Sequence, residues 1–365
     1  MKIKNIRFGM LNVPLKTPFK TAMRTMTEIE DVVVIIETDT GHAGFGSAPA
    51  TAVITGDTHG SIIEAISKFI SPTLIGRDIA DLSNLTNTIQ NAIVRNFSAK
   101  AAVEMAIYDL YGQLYGAPLY KLIGGGDNVI MTDITISVDY IDKMVEDTLN
   151  AIDLGFETLK ITVGKDPALD IERIKAIYAA VNERALIRLD ANQGWTPKQA
   201  VTVLRALEDS GVQLELLEQP VRGDDIEGMK YVTERISTPV MADESTFGPK
   251  ETIELIRTRT ADIINIKLMK TGGISNAIKI ADIAGIYGVN CMIGCMLESS
   301  IGVAAAAHVA VAKASVITLV DLDTPLLGQF DPVTSGVLFN NAEITITDLP
   351  GLGISKIDNL VMLDI

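Results

Sequence analysis

Five charged residues recur through the middle of this chain, and each ends a short apolar run. They are Lys160, Asp190, Glu218, Asp243 and Lys267. Neighbouring members are 24 to 30 residues apart, a length that fits one strand, one helix and two connections. The spacing therefore predicts a parallel strand-helix repeat in which every strand ends at the same rim. We expect the five side chains to form one site.

Eight strand-like runs lie in the second part of the chain, and amphipathic segments separate them. The runs cover residues 129–137, 158–163, 185–190, 213–218, 239–243, 262–267, 289–296 and 317–323. One of the intervening segments has Thr196 as a helix N-cap, Pro197 at the first helical position and Gly211 as its terminator. Eight such units predict an α/β fold, a closed (β/α)8 barrel.

The residues before the barrel follow a different pattern. A β-branched run at 32–38 precedes a predicted hairpin turn at 39–41, helical spacing begins at Ser61, and the last helix is predicted over 101–114. Three glycines, Gly124 to Gly126, then break the pattern. We predict an α+β domain over 1–125, the barrel over 126–325, and a segment over 326–365 that returns to the first domain.

Composition limits the classes of ligand and the compartment. The 365 residues carry a net charge of −15, which argues against nucleic-acid or anionic-membrane partners and favours small solutes. Two cysteines, Cys291 and Cys295, are too few for a disulfide framework and lack partners for zinc. Residues 1–10 do not resemble a secretory signal, and no apolar run is long enough to span a bilayer. The expected location is the cytoplasm.

Three of the recurring residues are carboxylates on consecutive predicted strands, the third, fourth and fifth. Asp190, Glu218 and Asp243 would repel one another at a common rim unless a cation neutralised them. An all-oxygen set favours a hard ion, so we predict a Mg²⁺ site. The alternative is three ordinary acidic residues at strand ends, a weaker interpretation for three successive repeats.

The two lysines end the second and sixth predicted strands, which are half a turn apart in a ring of eight. Lys160 and Lys267 would therefore approach the metal from opposite sides. A carboxylate substrate bound there would present its α-carbon between them, an arrangement suited to α-proton removal with Mg²⁺ stabilising the enediolate. The alternative of two solvated lysines is weaker, because both are embedded in apolar runs.

The sequence around these residues resembles the muconate-lactonising subgroup of the enolase superfamily. The matching segments are TLKI at 158–161, RLDANQ at 188–193, LEQP at 217–220, MADES at 241–245 and NIK at 265–267. The likeness covers essentially the whole chain and is greatest to the dipeptide epimerases. It implies that the first domain caps the barrel mouth, and that the reaction is Mg²⁺-dependent epimerisation of L-Ala-L-Glu-type dipeptides at the carboxy-terminal residue. A homo-oligomer is also expected.

Three further segments carry the likeness to dipeptide epimerases: PFKTAMRT at 18–25, ITGD at 54–57 and DLD at 321–323. Asp321 and Asp323 share a face of the last strand, where they could hold a dipeptide ammonium group, or could belong to a solvated acidic loop. Arg24 could hold an acidic substrate side chain, although a lone arginine is more often a surface residue. Thr55 is expected in a pocket loop, and Glu298 beside the pocket or in an ordinary loop. Hydrophobic or cationic dipeptides remain open.

One position departs from the family pattern. The subgroup has Lys-x-Lys on the second strand, where this chain has Lys160, Ile161 and Thr162. In the family the second lysine serves one face of the α-carbon and the lysine matching Lys267 serves the other. Thr162 cannot replace a base near neutral pH.

Three explanations of Thr162 stay open. The chain is an inactivated variant, Lys160 moves to act as second base, or Lys267 alone runs a one-base reaction. The first is favoured because the neighbouring residues fit an epimerase. The alternative functions are a one-base cycloisomerase or lyase, and a catalytically silent dipeptide-binding protein.

Overall fold

The chain begins with an antiparallel sheet and the helices that pack on it. The computed structural model describes residues 1–21 and 23–364. One residue of the 18–25 segment, Ala22, lies outside the described residues. The elements of this region are β1 (Ile3–Lys20), β2 (Thr25–Thr38), β3 (Ala43–Pro49), α1 (His59–Glu64), a π-helical turn (Ala65–Ile70), α2 (Ser71–Leu74), α3 (Leu82–Ala92), α4 (Phe97–Tyr115) and α5 (Leu119–Ile123).

Strand β2 is the centre of this sheet, and its β-branched run explains its burial. Val32, Val33, Val34 and Ile36 have no exposed surface, so both faces of the strand are covered. On one side β3 lies against α4 at very short range. A Cβ built on Gly46 would lie 1.9 Å from the carbonyl oxygen of Ala102 in α4, so the close approach requires glycine.

The second part of the chain forms the predicted ring of parallel strands. The barrel strands, preceded by a short β4 (Val129–Met131), are β5 (Ile134–Ile136), β6 (Thr158–Thr162), β7 (Leu186–Asp190), β8 (Leu216–Glu218), β9 (Val240–Ala242), β10 (Ile263–Lys267), β11 (Asn290–Gly294) and β12 (Ile317–Asp321). They are hydrogen-bonded in sequence order from β5 to β12. All eight predicted strands are present, which confirms the α/β barrel.

Helices follow the barrel strands and cover their outer faces. They are α6 (Ile141–Asp153), α7 (Pro167–Val181), α8 (Pro197–Glu208), α9 (Ile226–Thr233), α10 (Pro249–Thr258), α11 (Leu268–Thr271), α12 (Ile274–Tyr287), α13 (Ser300–Ala312) and α14 (Thr324–Leu327). Helix α8 begins as predicted, since the Thr196 side chain accepts from the N–H of Gln199. Among the described residues, no helix combines the length and apolarity needed to cross a membrane.

The predicted run 129–137 is two strands rather than one. Its first part, β4, leaves the barrel to pair with a later strand, and only β5 joins β6. Between them the backbone N–H of Thr132 donates to Ala342 at 2.8 Å, which holds this link to the end of the chain. The seam between β5 and β12 has no strand ladder. It is bridged by Asp133 N–H to the Val320 carbonyl at 3.4 Å and by Thr135 N–H to Asp323 Oδ2 at 2.7 Å.

The end of the chain contributes small strands to both halves of the molecule. These are β13 (Val333–Ser335), β14 (Val337–Asn340), β15 (Glu343–Ile346), β16 (Ile354–Ile357) and β17 (Val361–Met362). Strand β15 pairs with β14 and β4, whereas β17 adds to the edge of the first sheet beside β1. The carboxy-terminal segment therefore ties the barrel to the amino-terminal sheet.

The floor of the barrel is apolar and its upper interior is charged. Leu216, Met241 and Met292 pack together at the bottom with no exposed surface. In register with Leu216, Arg188 donates through Nη1 to Asp133 Oδ2 at 2.7 Å and to the Val320 carbonyl at 3.0 Å. This buried arginine crosses from β7 to the seam, so the interior is closed below the rim.

The contact between β3 and α4 gives a stability test. Gly46→Ala is expected to lower the free energy of unfolding by about 2 kcal/mol, because the new methyl group meets a backbone oxygen that cannot turn aside. The matched control is Gly60→Ala in α1, where an added Cβ meets nothing within 4 Å and the change is expected to be neutral or slightly stabilising. Urea unfolding followed by circular dichroism measures both; equal effects would contradict the close packing.

Candidate functional site

The carboxyl ends of the barrel strands surround one cavity, and two connections of the first domain help to enclose it. Eight of the eleven predicted site residues line this cavity. The eight are Arg24, Lys160, Thr162, Asp190, Asp243, Lys267, Asp321 and Asp323. Apolar side chains complete the wall, among them Phe19, Ile54 and Met296.

Lys160 lies at the centre of an ion-pair cluster. Its Nζ is 2.7 Å from Asp321 Oδ2, 2.8 Å from Glu218 Oε2 and 3.0 Å from Asp190 Oδ2. Glu218 lies beneath the cavity with 1% of its surface exposed, and Asn265 Nδ2 donates to its other oxygen at 2.7 Å. Burial alone would lower the pKa of Lys160, but Asp190, Asp321 and Glu218 raise this pKa well above its usual value. The ammonium group is therefore fixed and charged.

Lys267 faces the cavity from β10 and pairs with the remaining carboxylate. Its Nζ donates to Asp243 Oδ2 at 2.7 Å, while the other oxygen of Asp243 contacts Lys270. Burial would raise the pKa of Asp243, but the two lysines hold this pKa below its usual value. Burial would lower the pKa of Lys267, but Asp243 and Glu218 raise this pKa above its usual value. In this arrangement Lys267 carries a proton.

The predicted metal ligands offer the oxygen donors that a hard cation prefers, but their side chains are not arranged around one point. Within residues 1–21 and 23–364, no three His, Cys, Asp or Glu side chains surround a point that could hold an ion, because lysine ammonium groups lie among them. Glu218 Oε2 and Asp243 Oδ1 nevertheless accept no well-formed hydrogen bond, although each lies beside a lysine ammonium group. Three buried carboxylates of which two oxygens lack such a bond are a donor set that suits Mg²⁺.

Thr162 and Lys267 face the same cavity from opposite sides. They lie on β6 and β10, which are four strands apart in the ring of eight. Thr162 is 2% exposed and is the register partner of Asp190 on the next strand. A side chain at position 162 is therefore directed at the space in front of the carboxylates. The structure thus places a hydroxyl where the family pattern has a lysine.

The residues predicted to hold the ends of a dipeptide also line the cavity. Asp321 is the last residue of β12 and Asp323 lies just beyond the strand, before α14; both are buried and line the cavity. Burial first, and then the charge of Asp321, raises the pKa of Asp323 to about 7. Arg24 is half-buried in the connection between β1 and β2, next to Lys20, whose Nζ is held by Asp139 at 2.5 Å. Lys20 is thus occupied, and Arg24 faces the cavity.

Besides Glu218, which lies beneath the cavity, two other predicted residues do not line it. Thr55 turns back on its own loop, since its Oγ1 donates to the Thr51 carbonyl at 3.2 Å, and its neighbour Ile54 takes the cavity position. Glu298 lies behind the wall because its Oε1 accepts from the backbone N–H of Met296 at 2.8 Å. The structure therefore does not support direct substrate contact for either side chain.

Two charged residues near the site were not predicted. Lys270 is completely buried and donates to the Asn265 carbonyl at 3.0 Å as well as to the Asp243 carbonyl. The sequence feature that could have indicated Lys270 is its position three residues after Lys267, at the end of the same apolar stretch. Glu244 lines the cavity beside Asp243, and burial followed by the Asp243 charge raises the pKa of Glu244 to about 8.

The buried contact of Lys270 gives a second stability test. Lys270→Met is expected to lower the free energy of unfolding by about 3 kcal/mol, because it leaves two carbonyls and one carboxylate oxygen without their cation. Lys279→Met changes the same residue type on the exposed face of α12 and should stay within about 0.5 kcal/mol of the parent. Denaturant titration of the three proteins measures the difference. If Lys270→Met unfolds with the same free energy as the parent, the buried contacts of Lys270 contribute little to stability.

Comparison with known proteins agrees with this geometry. Residues 5–124 match the family described as mandelate racemase / muconate lactonizing enzyme, N-terminal domain, and residues 143–358 match the family described as enolase C-terminal domain-like. The L-Ala-D/L-Glu epimerase of Clostridium acetobutylicum is 52% identical over 98% of this chain and 100% of that protein. That of Bacillus subtilis is 48% identical over 97% of each.

Experimental structures of related enzymes have the same fold. A substrate-liganded complex of the Bacillus subtilis L-Ala-D/L-Glu epimerase superposes with a TM-score of 0.96 at 47% identity, over 98% of this chain and 99% of that one. The dipeptide epimerase of Enterococcus faecalis, complexed with Mg and L-Leu-L-Tyr, gives 0.93 at 42% identity, over 97% and 100%. Epimerases are isomerases. This chain therefore belongs to the mandelate racemase / muconate lactonizing enzyme family of the enolase superfamily, and the relatives that it resembles are dipeptide epimerases.

Proposed function

We propose that this chain binds Mg²⁺ and dipeptides of the L-Ala-L-Glu type, and exchanges the α-proton of their carboxy-terminal residue with solvent. One observation carries the proposal: Lys267 faces a cavity that is also lined by the carboxylates of Asp190 and Asp243, whereas Thr162 occupies the opposite side. Proton transfer is therefore available on one face of the α-carbon only. The chain has the site of an epimerase with one of its two bases replaced.

The substrate class is supported by the relatives and by charge. Two relatives at 52% and 48% identity are named L-Ala-D/L-Glu epimerases, and a third, from Enterococcus faecalis, is named a hydrophobic dipeptide epimerase at 43%. Arg24 offers this cavity a guanidinium group that a carboxylate side chain can pair with. Of the dipeptides that these relatives are named for, those with an acidic carboxy-terminal residue best match the charge that Arg24 brings to the cavity.

Asp190, Glu218 and Asp243 would hold the metal. When bound, Mg²⁺ supplies positive charge beside the substrate carboxylate, where negative charge grows as the α-proton leaves. Asp321 and Asp323 bind the ammonium group at the other end of the dipeptide, which fixes the molecule along the cavity. Held at both ends, the substrate has little freedom to turn its α-carbon away from the base.

Lys267 takes the α-proton and returns a proton to the same face. Its amine must be neutral to act as a base, and the raised pKa described above requires added positive charge nearby before that form is populated. Lys160 is a poor second base, because three carboxylates hold its ammonium group. A return to the same face gives exchange with retention of configuration.

Restoring lysine at position 162 tests the mechanism. In D₂O with Mg²⁺, the parent chain should incorporate deuterium at the α-carbon of only one of L-Ala-L-Glu and L-Ala-D-Glu, without interconverting them. Thr162→Lys should exchange both and interconvert them, with a gain in epimerisation of at least about a hundredfold, as expected for a positioned acid/base. Mass spectrometry and chiral chromatography measure the two quantities.

The matched control is Thr202→Lys on the exposed face of α8, which should behave as the parent. Exchange in neither diastereomer by the parent would indicate a silent binding protein. Interconversion by the parent itself would contradict the one-face proposal, and so would a Thr162→Lys variant that still acts on one diastereomer.

Ligand-induced stabilisation tests the metal and substrate assignments. Mg²⁺ with L-Ala-L-Glu should raise the thermal midpoint, since a ligand at about 100 times its Kd adds about 2.7 kcal/mol to native stability. Asp190→Asn should lose the metal effect, Arg24→Met should lose the preference for L-Ala-L-Glu over L-Leu-L-Tyr, and exposed Glu251→Gln should keep both. Differential scanning fluorimetry measures these shifts. A metal response retained by Asp190→Asn would place the ion elsewhere.

A further inference from the structure

Two buried carboxylates that the proposed reaction does not use lie at the junction of the first domain and the barrel, where Asp31 accepts from Ser299 and Glu298 precedes Ser299 in the chain. Asp31 belongs to β2 and has no exposed surface; Glu298 belongs to the connection between β11 and α13 and is 3% exposed. That connection also supplies residues 295–297, which form part of the cavity wall. The pair therefore lies directly behind a surface that the substrate touches in the proposed function.

Each carboxylate holds the connection by one oxygen. Asp31 Oδ2 accepts from the N–H of Ser299 at 3.0 Å and from its hydroxyl at 2.6 Å. Glu298 Oε1 accepts from the N–H of Met296 at 2.8 Å. Asp31 thus ties the first domain to the connection, and Glu298 fixes the bend that turns Met296 toward the cavity.

The other oxygen of each carboxylate, Asp31 Oδ1 and Glu298 Oε2, is buried without a well-formed hydrogen bond. The Ser47 hydroxyl lies close by and acts on Asp31 as a donor, but its single proton can serve only one oxygen. Two neighbouring ionised carboxylates in such surroundings would each be desolvated and would repel each other. A proton on one of them removes the repulsion and supplies the missing donor.

The surrounding charges do not remove this need for a proton. The titratable groups that act on the pair are His59 from α1, Lys267 from β10 and the buried thiol of Cys295. His59 directs Nε2 to the carbonyl of Glu30 at 3.3 Å rather than to a carboxylate. Lys267 is committed to Asp243. Neither cation hydrogen-bonds to Asp31 or Glu298.

We propose that Asp31 and Glu298 are a coupled pair that holds one proton between them in the folded protein, and that in this state they are positioning residues for the segment 295–297 of the cavity wall. The shared proton lets two acidic side chains pack together while each keeps its bond to the backbone or side chain of the connection. When the proton leaves at high pH, repulsion separates the carboxylates. The connection then loses either its hydrogen bonds from Ser299 to Asp31 of β2 or the hydrogen bond from Met296 to Glu298 that fixes the bend.

The titration of the two groups agrees with this assignment. Burial raises the pKa of Asp31 to about 6. Burial, followed by the charge of Asp31, raises the pKa of Glu298 to about 8. Because the folded-state values lie above those of the unfolded chain, the folded protein binds the extra proton. This contribution to stability is complete below about pH 4 and is lost as the pH rises through about 8.

Glu298→Gln separates the shared proton from simple packing. The amide oxygen keeps the bond to Met296, and the neutral side chain cannot repel Asp31 at high pH. We expect the variant to match the parent at pH 5 and to have a higher thermal midpoint at pH 9, by about 2 °C or more. The exposed control Glu254→Gln should follow the parent at every pH. A Glu298→Gln protein that is destabilised equally at all pH values would overturn the proposal.

A second measurement reports on the wall itself and rests on the proposed function for its ligand. With Mg²⁺ present, the affinity of the parent for L-Ala-L-Glu should fall about tenfold more between pH 7 and pH 9 than the affinity of Glu298→Gln, because only the protonated pair keeps the wall in place. Parallel pH curves for the two proteins would overturn the positioning role. Failure of L-Ala-L-Glu to bind either protein would count against the proposed function alone, since the stability curves test the shared proton without a ligand.

Discussion

The ammonium group of Lys160 is the contact on which the site depends. It joins carboxylates from three strands, β7, β8 and β12, and so links the two sides of the barrel across its interior. Removing one positive charge from such a cluster would leave several buried negative charges without compensation. The same contact explains why the acidic residues can approach one another, and why Lys160 itself is not free to move protons.

In the proposed mechanism the stereochemical outcome depends on the residue opposite Lys267. Positions 162 on β6 and 267 on β10 face the cavity from opposite sides, and of these two only position 267 holds an amine. A barrel of this kind keeps its binding groups when a single side chain on one strand changes. The fold, the proposed metal ligands and the proposed substrate-binding residues can therefore stay the same while the stereochemical outcome changes. For this reason the residue at position 162 indicates the reaction better than overall sequence similarity does.

The sequence revealed the architecture because charge and periodicity coincide in it. Residues such as Asp190 and Lys267 end apolar runs at regular intervals, which located all eight strands and most of the cavity. Side-chain orientation that depends on local hydrogen bonds could not be predicted from the sequence: the side chains of Thr55 and Glu298 turn toward their own loops. Lys270 was also missed, since a lysine in an apolar stretch gives no sign of which backbone carbonyls it meets.

The seam between β5 and β12 links closure of the barrel to the ligand side of the molecule. Asp323 holds the Thr135 amide across the seam and also faces the cavity, so one carboxylate belongs both to the wall and to the binding surface. A cationic group bound to Asp323 would restrict the motion of this carboxylate and so stabilise its hydrogen bond to the Thr135 amide. The protection of a single amide from solvent exchange would thereby report whether the cavity is filled.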